Sequence, residues 1–124
     1  MKLQTTQKDG KLYGKLPDTG WINIQFSSND WEARPNYQPA FRKVGNIVFL
    51  KGQLLPKKSL NAGNYNISMT NLPTPSVQHT FSSISYNGTL LNFWLVNQVL
   101  TLRLFSSNYS DPVGVSIDSS YIAN

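Results

Sequence analysis

Phe81–Phe105 reads FSSISYNGTLLNFWLVNQVLTLRLF, three apolar-rich runs separated by two turn signals. Asn87-Gly88 is the favoured dipeptide of a type I′ hairpin turn, and Asn97-Gln98 marks a second tight turn. Leu100, Leu102 and Leu104 alternate with Thr101 and Arg103, the cleanest period of two in the chain. Strict alternation places one set of side chains on a core and the other in water, which is the pattern of a half-buried strand. The stretch therefore predicts successive antiparallel hairpins.

The same grammar extends in both directions. Tyr65, Ile67 and Met69 alternate with Asn66, Ser68 and Thr70, and Ile22, Ile24 and Phe26 alternate with Asn23 and Gln25. Phe41–Leu55 is apolar on both faces through Val44, Ile47, Val48, Phe49 and Leu50, which predicts a central strand covered on both sides. Gly45 and Gly52 inside it mark a bulge or a close backbone approach. Val113, Val115 and Ile117 begin a last strand running to Ile122. Between these runs lie segments without a period: 27–39 with two prolines, 57–63, the Leu72-Pro73-Thr74-Pro75 step, and 106–112. The tally is about seven or eight strands at short spacing, so the expected fold is all-β, an antiparallel β-sandwich or small barrel.

Composition agrees. Ser, Thr, Asn and Gln number 42 of 124 residues, while Ala occurs four times and Glu once, so helix formers are scarce. No helix longer than two turns is expected. Residues 1–19 are basic, polar and punctuated by glycine and proline, and read as a linker or N-terminal arm leading into one domain over 20–124.

Several function classes recede on residue counts. There are no cysteines and one histidine, His79, so thiol chemistry is excluded and a protein metal site is not expected. Met1-Lys2 is followed by polar residues, with no apolar leader segment, and no apolar run approaches the length of a membrane span. The net charge of +5 falls to +2 once the first fifteen residues are set aside, and the remaining cations are scattered. A phosphate-binding surface needs a concentrated basic stripe, so nucleic acid is not an expected partner. No P-loop and no Gly-x-Ser-x-Gly elbow is present. Asp30 and Glu32 share one loop, a poor platform for the facing carboxylates of a glycosidase. No catalytic residue and no cofactor are expected, and the chain reads as a non-enzyme.

What remains is a mixture of aromatic and polar residues in loops. A sugar ring presents an apolar C–H face that packs on an aromatic plane, and hydroxyls that pair with carboxylate, amide and guanidinium groups. Asp30, Trp31, Glu32, Arg34, Asn36 and Tyr37 provide all of these within eight residues. They form the expected saccharide site, with Tyr65, His79 and Tyr86 as neighbours. The competing reading is that Trp31 and Tyr37 tuck under the loop and pack on the core. Trp21 and Trp94 lie in strand patterns and are expected in the core.

Trp21-Ile22, Trp31, Tyr37 and the segment Phe41-Arg42-Lys43-Val44-Gly45-Asn46-Ile47-Val48-Phe49-Leu50-Lys51-Gly52 resemble phage tail proteins of Gram-positive hosts, in which a Trp and a loop precede such a segment. The Ile67 to Leu72-Pro73 step and the terminal Ser120-Tyr121-Ile122 fit the same pattern, so the resemblance covers residues 20–122. It looks like the C-terminal head domain of a receptor-binding or baseplate protein from a phage of lactic acid bacteria. The resemblance implies a β-rich head on the virion, at the tail tip or baseplate. It further implies a homotrimer that binds host cell-surface polysaccharide and contacts other baseplate or tail proteins. No family binding residue transfers one by one. The alternatives are a structural baseplate or tail-tip component that binds no sugar, and a cell-wall glycan hydrolase.

Overall fold

Short runs of alternating residues interrupted by turn-formers yield many brief strands. The computed structural model describes residues 4–8 and 11–124, with side chains from Leu16 onward. Among these there is no helix. The expected arm falls partly outside the described residues, at 1–3, 9 and 10. Its remainder forms β1 (Gln4–Lys8) and β2 (Lys11–Lys15), an antiparallel pair. Pro17 and Thr19 are already tied to the domain: Gly45 N–H donates to Pro17 O at 2.8 Å, and Thr19 N–H to Lys43 O at 3.0 Å.

Twelve further strands build three antiparallel sheets, more than the alternation suggested because several have only two or three residues. β3 (Ile22–Asn23), β6 (Ala40–Val44), β7 (Ile47–Lys51) and β14 (Ser119–Ile122) form a four-stranded sheet in the order β14-β7-β6-β3. β5 (Trp31–Ala33), β8 (Gln53–Pro56) and β13 (Val115–Ser116) form a three-stranded one with β8 central. β4 (Phe26–Ser27), β9 (Gly63–Met69), β10 (His79–Ile84), β11 (Leu90–Val96) and β12 (Val99–Leu104) form a five-stranded sheet in the order β10-β11-β12-β9-β4. The arrangement is consistent with the expected β-sandwich.

The alternation does its work in the five-stranded sheet. Leu91, Phe93, Leu95, Leu100, Leu102, Leu104, Ile67 and Met69 all point inward and are buried. They meet Phe41, Val48, Leu50 and Tyr121 from the four-stranded sheet and Trp31, Leu54 and Val115 from the three-stranded one in a single core cluster. Phe81 stacks on Phe93 across the β10–β11 pair, ring centres 4.7 Å apart, a geometry that adds to simple area burial.

Four expectations are corrected. Ile22, Ile24 and Phe26 do not share one half-buried strand: β3 and β4 belong to different sheets, and Ile22 is exposed. Phe41–Leu55 is not one strand: Gly45, with φ of 60°, turns the chain between β6 and β7, which pair with each other. The 27–39 segment is not all loop, since it contains β5. The turn at Asn87-Gly88 is not type I′, because only Gly88 has positive φ. Gly88 N–H donates to Ser85 O and Ser85 N–H to Thr89 O, a turn followed by a left-handed glycine. Ser85 and Asn87 side chains both accept from Thr89 N–H, which stabilises this alternative.

Gly52 behaves as the sequence suggested, and it governs the architecture. Its φ is +122°, and a Cβ there would lie 2.5 Å from Pro39 Cα. Only glycine permits that approach. The chain bends at this point, so β7 belongs to one sheet and β8, beginning at the next residue, to another. The opposing strand bends in step, β13 pairing with β8 and β14 with β7. The corner is fastened by Asp118, whose Oδ1 accepts the Gly52 N–H at 3.1 Å, and by Ile117 N–H, which donates to Gly52 O at 3.0 Å.

Candidate functional site

The bend at Gly52 leaves a groove on the outer surface. It holds about 480 Å³, within the range of small-ligand sites. Its two aromatic walls are Trp21 and Tyr37, 45% and 48% exposed. The rest of the lining includes the amides Asn23, Asn36, Gln38 and Gln53 and the charged Lys51 and Asp118.

Local sequence explains how each wall is held. Arg34-Pro35-Asn36-Tyr37 is a tight turn closed by Tyr37 N–H donating to Arg34 O at 3.0 Å. Proline fixes φ at the second position, and the third needs positive φ. Asn36 provides it at 69°, asparagine being one of the few non-glycine residues tolerant of that region. Tyr37 is the closing residue of the turn, 48% exposed. The Arg34 guanidinium lies 4.3 Å from the centre of the Tyr37 ring, and its Nη1 donates to Gln53 Oε1 at 2.6 Å. Gln53 N–H donates to Tyr37 O at 2.9 Å. The turn is thus pinned to β8 by backbone and side chain together. Opposite it, Lys51 Nζ sits 4.2 Å from the centre of the Trp21 ring, a cation–π contact that orients the indole.

The nine sequence-nominated residues separate. Asn36 and Tyr37 line the groove and Arg34 braces it. Trp31 does not line it: it is 1% exposed and sits in the core, 6.3 Å from Tyr65 edge-on and 6.1 Å from Tyr109. It cannot stack on a ligand, because β5 alternation turns it inward while Glu32 faces water. Asp30 lies 3.3 Å from Lys58 Nζ, and its carbonyl accepts Lys57 N–H. Tyr65 is half-buried against Trp31 and donates its hydroxyl to Asn61 O at 2.5 Å. His79 is half-buried between Phe81 and Tyr121, with Nε2 3.1 Å from Ser119 Oγ. Burial pushes its pKa below the usual histidine range. Tyr86 is 76% exposed at the tip of the β10–β11 turn. Asp30, Glu32, Tyr65, His79 and Tyr86 are not among the residues lining the groove.

The reading of Trp21 and Trp94 as core is also corrected. Trp94 is half-buried, on the outer face of the five-stranded sheet. For Trp94 the alternation carries the signal: Leu91, Phe93 and Leu95 face the core and leave Trp94 outside. For Trp21 it does not, because Ile22 beside it is also exposed and Phe26 lies in another sheet. Lys51, Gln53 and Asp118 were not nominated, and nothing local marks them, because the corner that gathers them is tertiary.

The best-braced carboxylate lies away from the groove. Asp111 is 4% exposed and accepts from Val113 N–H, Gly114 N–H and the Tyr109 hydroxyl. Burial alone would raise its pKa; the backbone N–H groups and the hydroxyl outweigh that and hold it below the usual carboxylate range. Its role is to lock the 109–114 loop. Among the described residues no group of three or more His, Cys, Asp or Glu side chains could hold a metal ion. Comparison of the chain with protein-family models, curated proteins and solved structures finds no match.

Proposed function

We propose that this chain is a non-catalytic saccharide-binding head, acting as an adhesin at a phage tail tip or baseplate and engaging host cell-wall polysaccharide. The observation that carries the binding part is the groove: two exposed aromatic planes, Trp21 and Tyr37, face a shared space whose other walls are the amides Asn23, Asn36, Gln38 and Gln53. Aromatic planes suit the C–H faces of sugar rings, and neutral amides exchange hydrogen bonds with hydroxyls without the desolvation cost of a charge. The phage assignment, the virion location and the tail-protein partners rest on the sequence resemblance.

A non-catalytic role fits the placement of acids. Hydrolysis of a glycosidic bond needs two carboxyl groups facing each other across the sugar. The groove lining has one, Asp118, already engaged with Gly52 N–H. Asp30 and Glu32 lie elsewhere, the former beside Lys58.

The test is binding of the domain to cells of lactic acid bacteria and to their purified surface polysaccharide, with Trp21→Ala and Tyr37→Ala alongside the parent. Each loss should cost about 2 kcal/mol if that ring is an anchor, roughly a thirtyfold drop in affinity. Both residues are exposed, so thermal stability should stay within about 1 kcal/mol of the parent. A folded double variant that binds as well as the parent overturns the site.

A further inference from the structure

The groove continues past Trp21. A second depression of about 450 Å³ adjoins it and shares Trp21, Lys51 and Asp118 with the first. Its own lining adds Phe49, Val44, Arg42 and Ser119. The sheet register explains the alignment. Phe49 and Lys51 are two residues apart on β7 and therefore share its outer face. Phe49 stands opposite Arg42 on β6 and Ser120 on β14, while Lys51 stands opposite Ala40. Phe49 is 39% exposed, although its neighbours Val48 and Leu50 are buried. Arg42 is fixed beside it: Nε donates to Asp18 Oδ1 at 2.9 Å and Nη2 to Oδ2. That pairing leaves further guanidinium donors uncommitted to Asp18.

Resting on the saccharide reading above, we infer that the two depressions form one extended site for a linear oligosaccharide of several rings, with Phe49 as its third stacking plane and Arg42 as a hydroxyl partner. The two depressions, about 480 and 450 Å³, together offer more room than one pyranose ring occupies. Trp21 and Lys51 line both depressions. A ligand confined to the first would leave Phe49 in water, and one confined to the second would leave Tyr37. A chain running through both covers Tyr37, Trp21 and Phe49. The chemistry changes along the path: amides dominate around Tyr37, while apolar side chains and one guanidinium dominate around Phe49. The site therefore has a direction, and reversing the chain would place hydroxyl-rich edges against Val44 and Phe49.

The experiment uses surface polysaccharide of lactic acid bacteria, partially hydrolysed and fractionated from single sugars to chains of several rings. Affinity is measured by titration calorimetry for the parent, Phe49→Ala and Phe49→Tyr. The parent should bind long fragments at least tenfold more tightly than the shortest ones that bind. Phe49→Ala should erase that gain, bringing the long-fragment affinity down to that of the short fragments. Phe49→Tyr, which keeps the plane, should retain it. Equal affinity of the parent for short and long fragments, or a length gain that survives Phe49→Ala, overturns the extended site and leaves the saccharide reading intact. Failure of every fragment to bind the parent removes the saccharide reading, and this inference with it.

Discussion

Two tryptophans ten residues apart have opposite fates. Trp31 is the largest fully buried side chain, yet its indole N–H has no hydrogen-bond partner. An unpaired buried donor lowers stability by about 1–3 kcal/mol, so its retention reflects the apolar area and the ring contacts with Tyr65 and Tyr109. Trp31→Ala should cost about 3–5 kcal/mol, measured as a lower denaturation midpoint at unchanged slope. Trp21→Ala should leave that midpoint nearly in place and act on binding alone. His79 gives a second prediction at this scale. Its folded pKa is lowered by burial, so the unfolded chain binds the proton more readily. Its contribution is present above the unfolded value near 6.5 and is lost as pH falls below it. The imidazole joins β10 to β14 through Ser119 and Tyr121, so charging it strains the seam between two sheets. Thermal melts of the parent should decline as pH falls below about 6.5, and His79→Gln should flatten that part of the profile.

At the scale of elements, what was readable and what was not divides by distance in the chain. β9, β11 and β12 were legible because alternation and local turn chemistry fix them within a few residues. Strand parity also suffices to place Trp94 outside, between the inward-facing Phe93 and Leu95. β5 was hidden because its three residues hydrogen-bond to β8, more than twenty residues away, and no short window contains that pairing. The groove was half legible: Pro35-Asn36 announces a turn presenting Tyr37, whereas Lys51, Gln53 and Asp118 meet only after β7 and β14 bend together. Gly52 makes that bend testable. Gly52→Ala forces a Cβ against Pro39 backbone and strains a positive φ, and should cost at least about 2 kcal/mol. Urea unfolding measures it, and a change under 0.5 kcal/mol, the scatter of neutral surface substitutions, would show that the corner relaxes freely.

For the whole molecule, the homotrimer implied by the resemblance remains a proposal, supported by exposed apolar side chains such as Ile84, Leu90 and Ile122. Light scattering at micromolar concentration should return three times the chain mass, and a monomer mass would remove the proposal for this domain. A shallow groove gives weak binding per head. Three linked heads would raise attachment to a polysaccharide-coated cell by about 10²–10⁴ through effective concentration. Comparing a trimer with a dissociated head on the same cells measures that factor. The position of the groove on the corner also has an evolutionary consequence. Lys51, Gly52 and Gln53 belong to the same continuous segment that gives one strand to each of two sheets. Insertions there would unmake the architecture, so new preferences must arise by exchanging side chains along the rim. A library randomised at Asn23, Asn36 and Gln38 should remain largely folded and yield altered selectivity, while one randomised at Pro39 and Gly52 should yield mostly insoluble protein. On the proposed adhesin reading, host preference would change by repainting a fixed surface rather than by growing new loops.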